Sequence, residues 1–424
     1  MRISTQALQK QSDAASLFSR GLKIWRNWSP TKKAFNNREY QVVDLFSGCG
    51  GMSLGFDILS RITDSFDLVG GMDLNAESLQ TYARNLNTDV WQGDISKAAR
   101  SKNDLRVFLN SLKNYKNKKP TVLIGCAPCQ GFSAHRKKKW NQIDPRNNLI
   151  SALASAVDLL EPKVVVMENV PELLSEKYWD YYSFFKNSLE SQGFIIKCGI
   201  FNSANFNVPQ ERFRAVVIAM RNNFDFLQNM TDRDNFKTVR DAISDLETLE
   251  AGESSKRDIY HRAIMHKDST IDIIKKVPKN GGTRPEGVGP RCLQKFKGFA
   301  DVYGRLSWDK PAITITHYAR NPASGRFCHP DQDRGLTIRE VSRLQSFPDE
   351  FKFYGTRDSI YRQIGEAVPP LLSLAIAECV FNGLKTKRQK RIEEGEVITT
   401  PVSSSFTSTI SGIKKRDADK CLLQ

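Results

Sequence analysis

The 424-residue chain is short of acid and of histidine: 47 carboxylates stand against 63 lysines and arginines, with five histidines. The acid deficit leaves a formal charge of +16 and a pI near 9.4. Such a surface draws polyanions, and nucleic acid is the commonest of them. His317 and His329 lack metal-ligand spacing, so no metal is predicted. No uninterrupted apolar stretch reads as long enough to cross a bilayer. Met1 to Ser16 is too polar for a secretory signal, which makes the cytoplasm the expected location. The eight cysteines, Cys49, Cys126, Cys129, Cys198, Cys292, Cys328, Cys379 and Cys421, are too scattered for a disulfide framework. One Cys126-Ala127-Pro128-Cys129 pair, without a second Cys or His pair, is a poor zinc site. Internal repeats are absent.

What is present is a rhythm. Short apolar runs recur at Val42 to Phe46, Asp67 to Met72, Val122 to Gly125, Val164 to Met167, Ile195 to Phe201 and Ala215 to Met220. Runs of this kind suit strands buried on both faces. Ala76 to Asn87 and Leu149 to Leu160 read as helices between them. Alternating strand and helix predicts an α/β fold with a doubly wound, mostly parallel sheet. After Met220 the chain turns polar and irregular, with Gly281, Gly282, Pro285, Gly287, Gly289 and Pro290 clustered. Ala312 to Thr316 alternates and reads as a strand; Thr337 to Gln345 and Pro370 to Leu384 read as helices. Phe18, Leu22 and Trp25 share one helical face, best suited to lying on the body of the protein.

Four units are expected. Residues 1–40 form a basic extension, and 41–220, completed by 355–385, a catalytic domain. Residues 221–354 form a smaller, irregular target-recognition region, and 386–424 a largely disordered tail. The basic run Lys385 to Arg391 reads as a solvated tail.

In an open α/β sheet, ligands sit outside the carboxyl ends of the strands. The first strand runs into Asp44-Leu45-Phe46-Ser47-Gly48-Cys49-Gly50-Gly51, where glycines permit a tight turn and close ligand approach. The second ends at Asp73, an acid placed to bind ribose hydroxyls. A third short segment ends at Asp94, which can accept from an adenine amino group. The fourth runs into Pro128-Cys129-Gln130 and the fifth ends at Glu168-Asn169-Val170. Half of this edge reads as an adenosine site, and the other half offers a thiol and a carboxyl. That pair suits cytosine chemistry. A thiolate adding at carbon 6 makes carbon 5 enamine-like, and a carboxylic acid stabilises charge arriving at ring nitrogen 3. Gln210 to Arg214 sets Arg212 and Arg214 on one side of an extended segment.

These segments, in this order, resemble the DNA (cytosine-5)-methyltransferase family from about Gln41 to Leu384. DLFSGCGG at 44–51, Pro128-Cys129-Gln130, Glu168 to Val170, Gln210 to Arg214 and the Arg339 to Pro348 signature carry the likeness. The resemblance implies S-adenosyl-L-methionine as methyl donor and Cys129, next to Pro128, as nucleophile. It implies Glu168 at ring nitrogen 3 and Arg214 at the carbonyl oxygen, with Arg212 beside it. It places Phe46 and Leu74 about the adenine, Asp73 at the ribose and Asp94 at the amino group. Gly48, Gly50, Gly51, Ile95, Leu149 and Ala367 join the implied cofactor site. It implies double-stranded DNA as partner, base flipping, a monomer, and a cognate restriction endonuclease acting on the same site.

Two departures stand out. Asp73-Leu74 replaces the family's usual Glu-Trp. Gly365-Glu366-Ala367-Val368-Pro369 puts an acid where an amide is usual. Three rivals remain. A transfer-RNA cytosine methyltransferase shares the fold, but the Cys-Phe-Thr typical of that branch is missing. A catalytically silent DNA-binding protein would not need Cys129, Glu168 and Arg214 together. A thioredoxin-type dithiol would use Cys126 with Cys129. Arg136 to Lys139 is expected to close over DNA phosphates, and Lys279, Asn280, Thr283, Arg284 and Arg291 to reach bases.

Overall fold

A computed structural model describes residues 16–30, 38–99, 101–127, 148–294, 301–386 and 397–402. In chain order the elements begin with α1 (Leu17–Arg26), β1 (Tyr40–Leu45), α2 (Gly51–Thr63), β2 (Phe66–Asp73), α3 (Ala76–Leu86) and β3 (Asp89–Gln92). Next come α4 (Ile95–Ala98), α5 (Lys102–Ser111), β4 (Thr121–Gly125), α6 (Asn148–Leu160), β5 (Val164–Asn169) and α7 (Trp179–Ser191). They are followed by β6 (Ile195–Asn202), β7 (Phe213–Met220), α8 (Val239–Ile243), α9 (Asp268–Lys275) and α10 (Arg291–Gln294). The series closes with α11 (Ile338–Leu344), α12 (Arg357–Glu366) and α13 (Pro370–Lys385).

The strands form one seven-stranded sheet in the order β3-β2-β1-β4-β5-β7-β6. β3, β2, β1, β4 and β5 pair in parallel, whereas β7 runs antiparallel between β5 and β6. Period-two alternation sorts the side chains to two faces. Val42, Val122, Ile124, Val164, Val166, Val216 and Ile218 enter one core with Leu54, Phe56 and Ile58 of α2 and Leu371 to Val380 of α13. Val43, Leu45, Leu123, Val165, Met167, Ala215 and Val217 enter the other, with Leu105 of α5, Leu153 of α6 and Phe185 of α7. Each fully buried Val or Leu contributes roughly 1.5–3 kcal/mol, which explains why both faces are mostly apolar, with Gln41, Asp44 and Thr121 among the buried polar exceptions. The expected fold class is therefore the observed one.

α13 is buried against α2. It belongs to the helical stretch Arg357–Lys385, whose most apolar window has a mean hydropathy of 1.6 and is 89 % buried. That stretch meets the length and composition of a membrane span, contrary to the expectation that none would, but it lies in the core. α1 packs on α2 and α13, burying Phe18 and Gly21, and Trp25 Nε1 donates to Ser346 O at 2.8 Å. The expected helix on the body of the protein is thus found.

Ala312 to Thr316 is not the strand its alternation predicts. It makes one isolated bridge, Gln210 to Ala312. Ile315 N donates to the Gln210 side chain at 2.7 Å, not to a strand partner, and Thr314 Oγ1 donates to Glu211 O. A side chain has taken the place of a ladder, and Pro311 has no N–H to offer.

Within residues 221–354 a small separate cluster collects Ile274, Val277, Val302, Tyr303 and Cys328. Arg305 sits at its centre, fully buried, donating to the carbonyls of Val277, Ile274, His329 and Gln332 and pairing with Asp333. Most of the tail lies outside the described residues. Within it, 397–402 runs along the sheet: Ile398 N donates to Cys198 O, and Val402 N to Leu174 O.

Candidate active site

The turn after β1 is built around an uncommon backbone. Phe46 has φ 62°, a left-handed conformation that costs a non-glycine residue about 1–3 kcal/mol. Gly48 follows at φ 51°, and a methyl group added there would meet nothing within 4 Å. The turn is therefore an open cradle. Gly50, itself left-handed, caps α2. Gly51 is needed for close approach, since a Cβ there would lie 2.3 Å from Val368 O and 3.2 Å from the Ala367 Cβ.

Around the cradle sit polar atoms short of partners. Asp44 is buried at the end of β1; its Oδ2 accepts from Ser53 Oγ at 2.6 Å, whereas Oδ1 and Ser47 Oγ have no hydrogen bond. Burial, with Asp73 adding repulsion, pushes the Asp44 carboxyl up to about 7. Asp73 accepts from Gly48 N at 2.9 Å and Asn75 N at 2.8 Å, one bond per oxygen. Each oxygen retains a lone pair for a hydroxyl. Burial raises its carboxyl as well. Leu74 is 67 % exposed, an apolar surface open to a flat ligand. Asp94 caps α4, its Oδ1 accepting from Ser96 N and Oγ, and Ile95 is buried beside it. Leu149 lies in the first turn of α6. Orphaned buried oxygens, an open turn and an exposed apolar residue together fit a polar, cationic nucleoside cofactor.

The second half of the edge is organised by β5 and β7. Arg214 Nε lies 2.9 Å from Glu168 Oε1, with both side chains mostly buried. The carboxylate oxygen sits off the N–H axis, making the contact an ion pair without a hydrogen bond. Asn169 Nδ2 donates to Ala127 O at 3.2 Å, which ties the end of β5 to the backbone just before Pro128. Pro128, Cys129 and Arg136 to Lys139 lie outside the described residues. Cys126 is described. Burial, then the charges of Glu168 and Asp44, push its thiol well above the ordinary range, so it stays protonated and is a poor nucleophile.

Arg212 has a different fate from Arg214. It is buried, with Nη1 donating to Ile315 O and Nη2 to Gly365 O and Ala367 O. It ties the chain that carries Ala367 to Ile315 and so toward the turn after β1. Gln210 Nε2 donates to Gln345 Oε1 at 2.5 Å and to Leu344 O, and Gln345 Nε2 reaches Ala367 O at 2.7 Å. Asp44, Gln210 and Gln345 were not singled out as site residues in the sequence. Gln345 lies in the Arg339 to Pro348 signature, and an acid buried in a strand was the available signal for Asp44.

Arg334 and Glu340 form a bidentate, fully buried pair at 2.9 and 2.7 Å. Although burial opposes it, Arg334 holds the Glu340 carboxyl down to about 2. Arg339 pairs with Asp258 and Asp349, and Arg343 with Asp245 and Asp349. The signature helix α11 therefore anchors the recognition region. Of the candidate base contacts, Lys279, Asn280, Thr283 and Arg291 are exposed, with Thr283 Oγ1 accepting from Arg326. Asn280 accepts from Trp308 N, and Arg284 donates to Val288 O. Among the described residues no group of His, Cys, Asp and Glu is arranged to hold a metal ion.

The sheet order and the position of the site at its carboxyl edge define the S-adenosylmethionine-dependent methyltransferase fold. Residues 40–382 match the model of the C-5 cytosine-specific DNA methylase family. The chain is 35 % identical over 341 residues to the Type II methyltransferase M1.HphI of Haemophilus parahaemolyticus, covering 80 % of this chain and 86 % of that one. It is 33 % identical over 365 residues to the Type II methylase M.HgiDII of Herpetosiphon aurantiacus, covering 83 % and 98 %. A prophage-encoded E. coli chain described as a DNA modification methyltransferase superposes with TM-score 0.60 at 23 % identity, covering 82 % of this chain and all of that one. The chain belongs to the C-5 cytosine-specific DNA methylase family and is a DNA (cytosine-5)-methyltransferase.

Proposed function

We propose that this chain transfers the methyl group of S-adenosylmethionine to carbon 5 of a cytosine flipped out of duplex DNA, through a covalent adduct at Cys129. The observation that carries the reading is the Glu168–Arg214 pair at the end of β5, tied through Asn169 to the segment entering Pro128-Cys129. When bound, the cofactor supplies an electrophilic methyl group on a sulfonium. The Cys129 thiolate adds to carbon 6, and the ring electrons shift toward nitrogen 3 and the carbonyl oxygen. Glu168 holds nitrogen 3, and Arg214 holds the carbonyl oxygen. Carbon 5 then takes the methyl group. Loss of its proton to a base expels the thiolate and restores the aromatic ring.

Cytosine inside a helix is out of reach of such a site, which is why flipping is part of the reading. Asp73, Asp94, Phe46, Leu74 and Leu149 would hold the adenosine, and Asp44 would face the cationic methionine end. Residues 221–354 would select the sequence. The Type II methyltransferases among the relatives support DNA as the substrate, with a restriction endonuclease of the same specificity as its counterpart; a monomer acting in the cytoplasm completes the reading. A methyl-transfer assay with duplex DNA and transfer RNA in parallel tests the reading, with bisulfite sequencing to find the target. Incorporation into duplex DNA at carbon 5 is expected. Incorporation only into RNA, or into neither, overturns it.

A further inference from the structure

We infer that Glu366 is a specificity-determining residue: its carboxylate makes the cofactor site prefer a cationic sulfonium over the neutral thioether left after transfer. This rests on S-adenosylmethionine being the cofactor. Glu366 ends α12, and its two neighbours are pinned. Arg212 donates to Gly365 O and Ala367 O, and Gln345 also donates to Ala367 O. The next carbonyl, Val368 O, would be 2.3 Å from a Cβ on Gly51, so the segment lies directly on the cofactor turn. From the turn's other side, Cys49 Sγ reaches Gln363 O at 3.5 Å. Glu366 is thus held at the mouth of the cradle that Gly48 leaves open. Glu366 is exposed to solvent at the rim of the cleft, with protein still close enough to its carboxyl to raise it.

The charges around it sharpen the point. Among the described residues, no hydrogen bond or ion pair engages its carboxylate. Asp73 faces it across the turn, and Asp44 lies behind Asp73. Arg362, on its own helix, attracts it. Arg212 is occupied by backbone carbonyls. His317, whose N–H abuts Gly365, is held below the ordinary histidine range by burial and by Arg362 and Arg320. The Cys49 thiol, pushed up to about 12 by burial, is neutral. Burial is the main cause that raises the Glu366 carboxyl, and Asp73 adds to it. A cation arriving here relieves the repulsion among three carboxylates. The sulfonium cofactor carries one more positive charge than its thioether product, so transfer itself removes the attraction and favours release. An amide at this position would bind both forms with little regard to that charge.

Titration calorimetry with S-adenosylmethionine and S-adenosylhomocysteine separates the outcomes, using wild type, Glu366→Gln and Glu366→Asn. Either amide should weaken the sulfonium by about three- to thirtyfold and leave the thioether within about twofold. In wild type the preference should shrink as pH falls through the raised value of Glu366. In the Gln variant it should vary less, since only Asp44 and Asp73 remain to titrate. Equal weakening of both ligands, or an unchanged ratio, overturns this inference alone. If wild type binds neither ligand, the cofactor assignment fails and this inference with it.

Discussion

Arg214 and Glu168 approach within 2.9 Å across neighbouring antiparallel strands, β7 and β5. The guanidinium lowers the cost of burying the carboxylate, and on the proposed mechanism it would also hold the carbonyl oxygen. Glu168→Gln should therefore reduce methyl transfer by about 10²- to 10⁴-fold with the fold intact. Arg214→Met should do comparable damage, and the double variant should be little worse than either single one. Single-turnover rates with circular dichroism as a folding control check this. Strictly multiplicative losses would mean the two groups act separately.

Cys126 and Cys129 are three residues apart, and the proposed chemistry uses only Cys129. Burial and two nearby carboxylates keep the Cys126 thiol protonated. Duplex DNA with 5-fluorocytosine at the target should trap an adduct, because fluorine blocks the elimination that frees the enzyme. Cys129→Ala should abolish the adduct and Cys126→Ala should retain it, as read by denaturing gel and peptide mapping. An adduct on Cys126 would reverse the assignment.

His329 and Glu340 are both shifted downward, and each makes stability fall as pH drops, over different windows. His329 is buried; its Nδ1 accepts from Asp331 N and Gln332 N, and burial lowers it to about 4. Between its ordinary 6.5 and about 4, the unfolded chain binds the proton and the folded chain does not. Stability should thus fall as pH drops through that window. Glu340, lowered to about 2 from 4.5, contributes stability that is complete above 4.5 and lost as pH falls through about 2. Urea unfolding across pH should show the first slope reduced in His329→Asn, which keeps an acceptor. Glu340→Gln should cost about 3–5 kcal/mol at neutral pH by stranding Arg334. A slope between pH 6.5 and 4 that His329→Asn leaves unchanged would assign it to other groups.

Arg305 decides where a recognition graft must end. It binds Ile274, Val277, His329, Gln332 and Asp333, so a segment exchanged at 221–304 replaces two of its five supports, Ile274 and Val277. A chimera exchanging 221–333 with a relative of different target should fold and methylate the relative's site, with cofactor affinity nearly unaltered. The 221–304 exchange should be less stable by thermal melting. An active 221–333 chimera that keeps the original target would move recognition elsewhere.

Salt should weaken DNA binding steeply, with a log–log slope of about −0.9 per phosphate neutralised. Changing Lys137, Lys138 and Lys139 to alanine should flatten that slope by roughly one to three units if the run contacts phosphates. Filter binding over a salt series measures it, and an unchanged slope would remove the run from the interface.

By itself the sequence determined the sheet. Val42 to Phe46, Val122 to Gly125 and Val164 to Met167 are apolar on both faces, Asp44 excepted, because both faces are covered, and that local pattern survives folding unaltered. It also determined which acids and glycines end the strands, since a residue following a strand must lie at the sheet edge. Only tertiary structure decided partners. Arg212 and Arg214 have the same spacing and chemistry, yet one is spent on Ile315, Gly365 and Ala367 and the other meets Glu168. Ala312 to Thr316 alternates like a strand, but Gln210 supplies the acceptor that a neighbouring strand would have offered. Gln210 and Gln345, distant in the chain, meet only because α11 returns over the sheet. Alternation reports which face a residue wants; which group waits on that face depends on segments far away in the chain, and no local pattern encodes it.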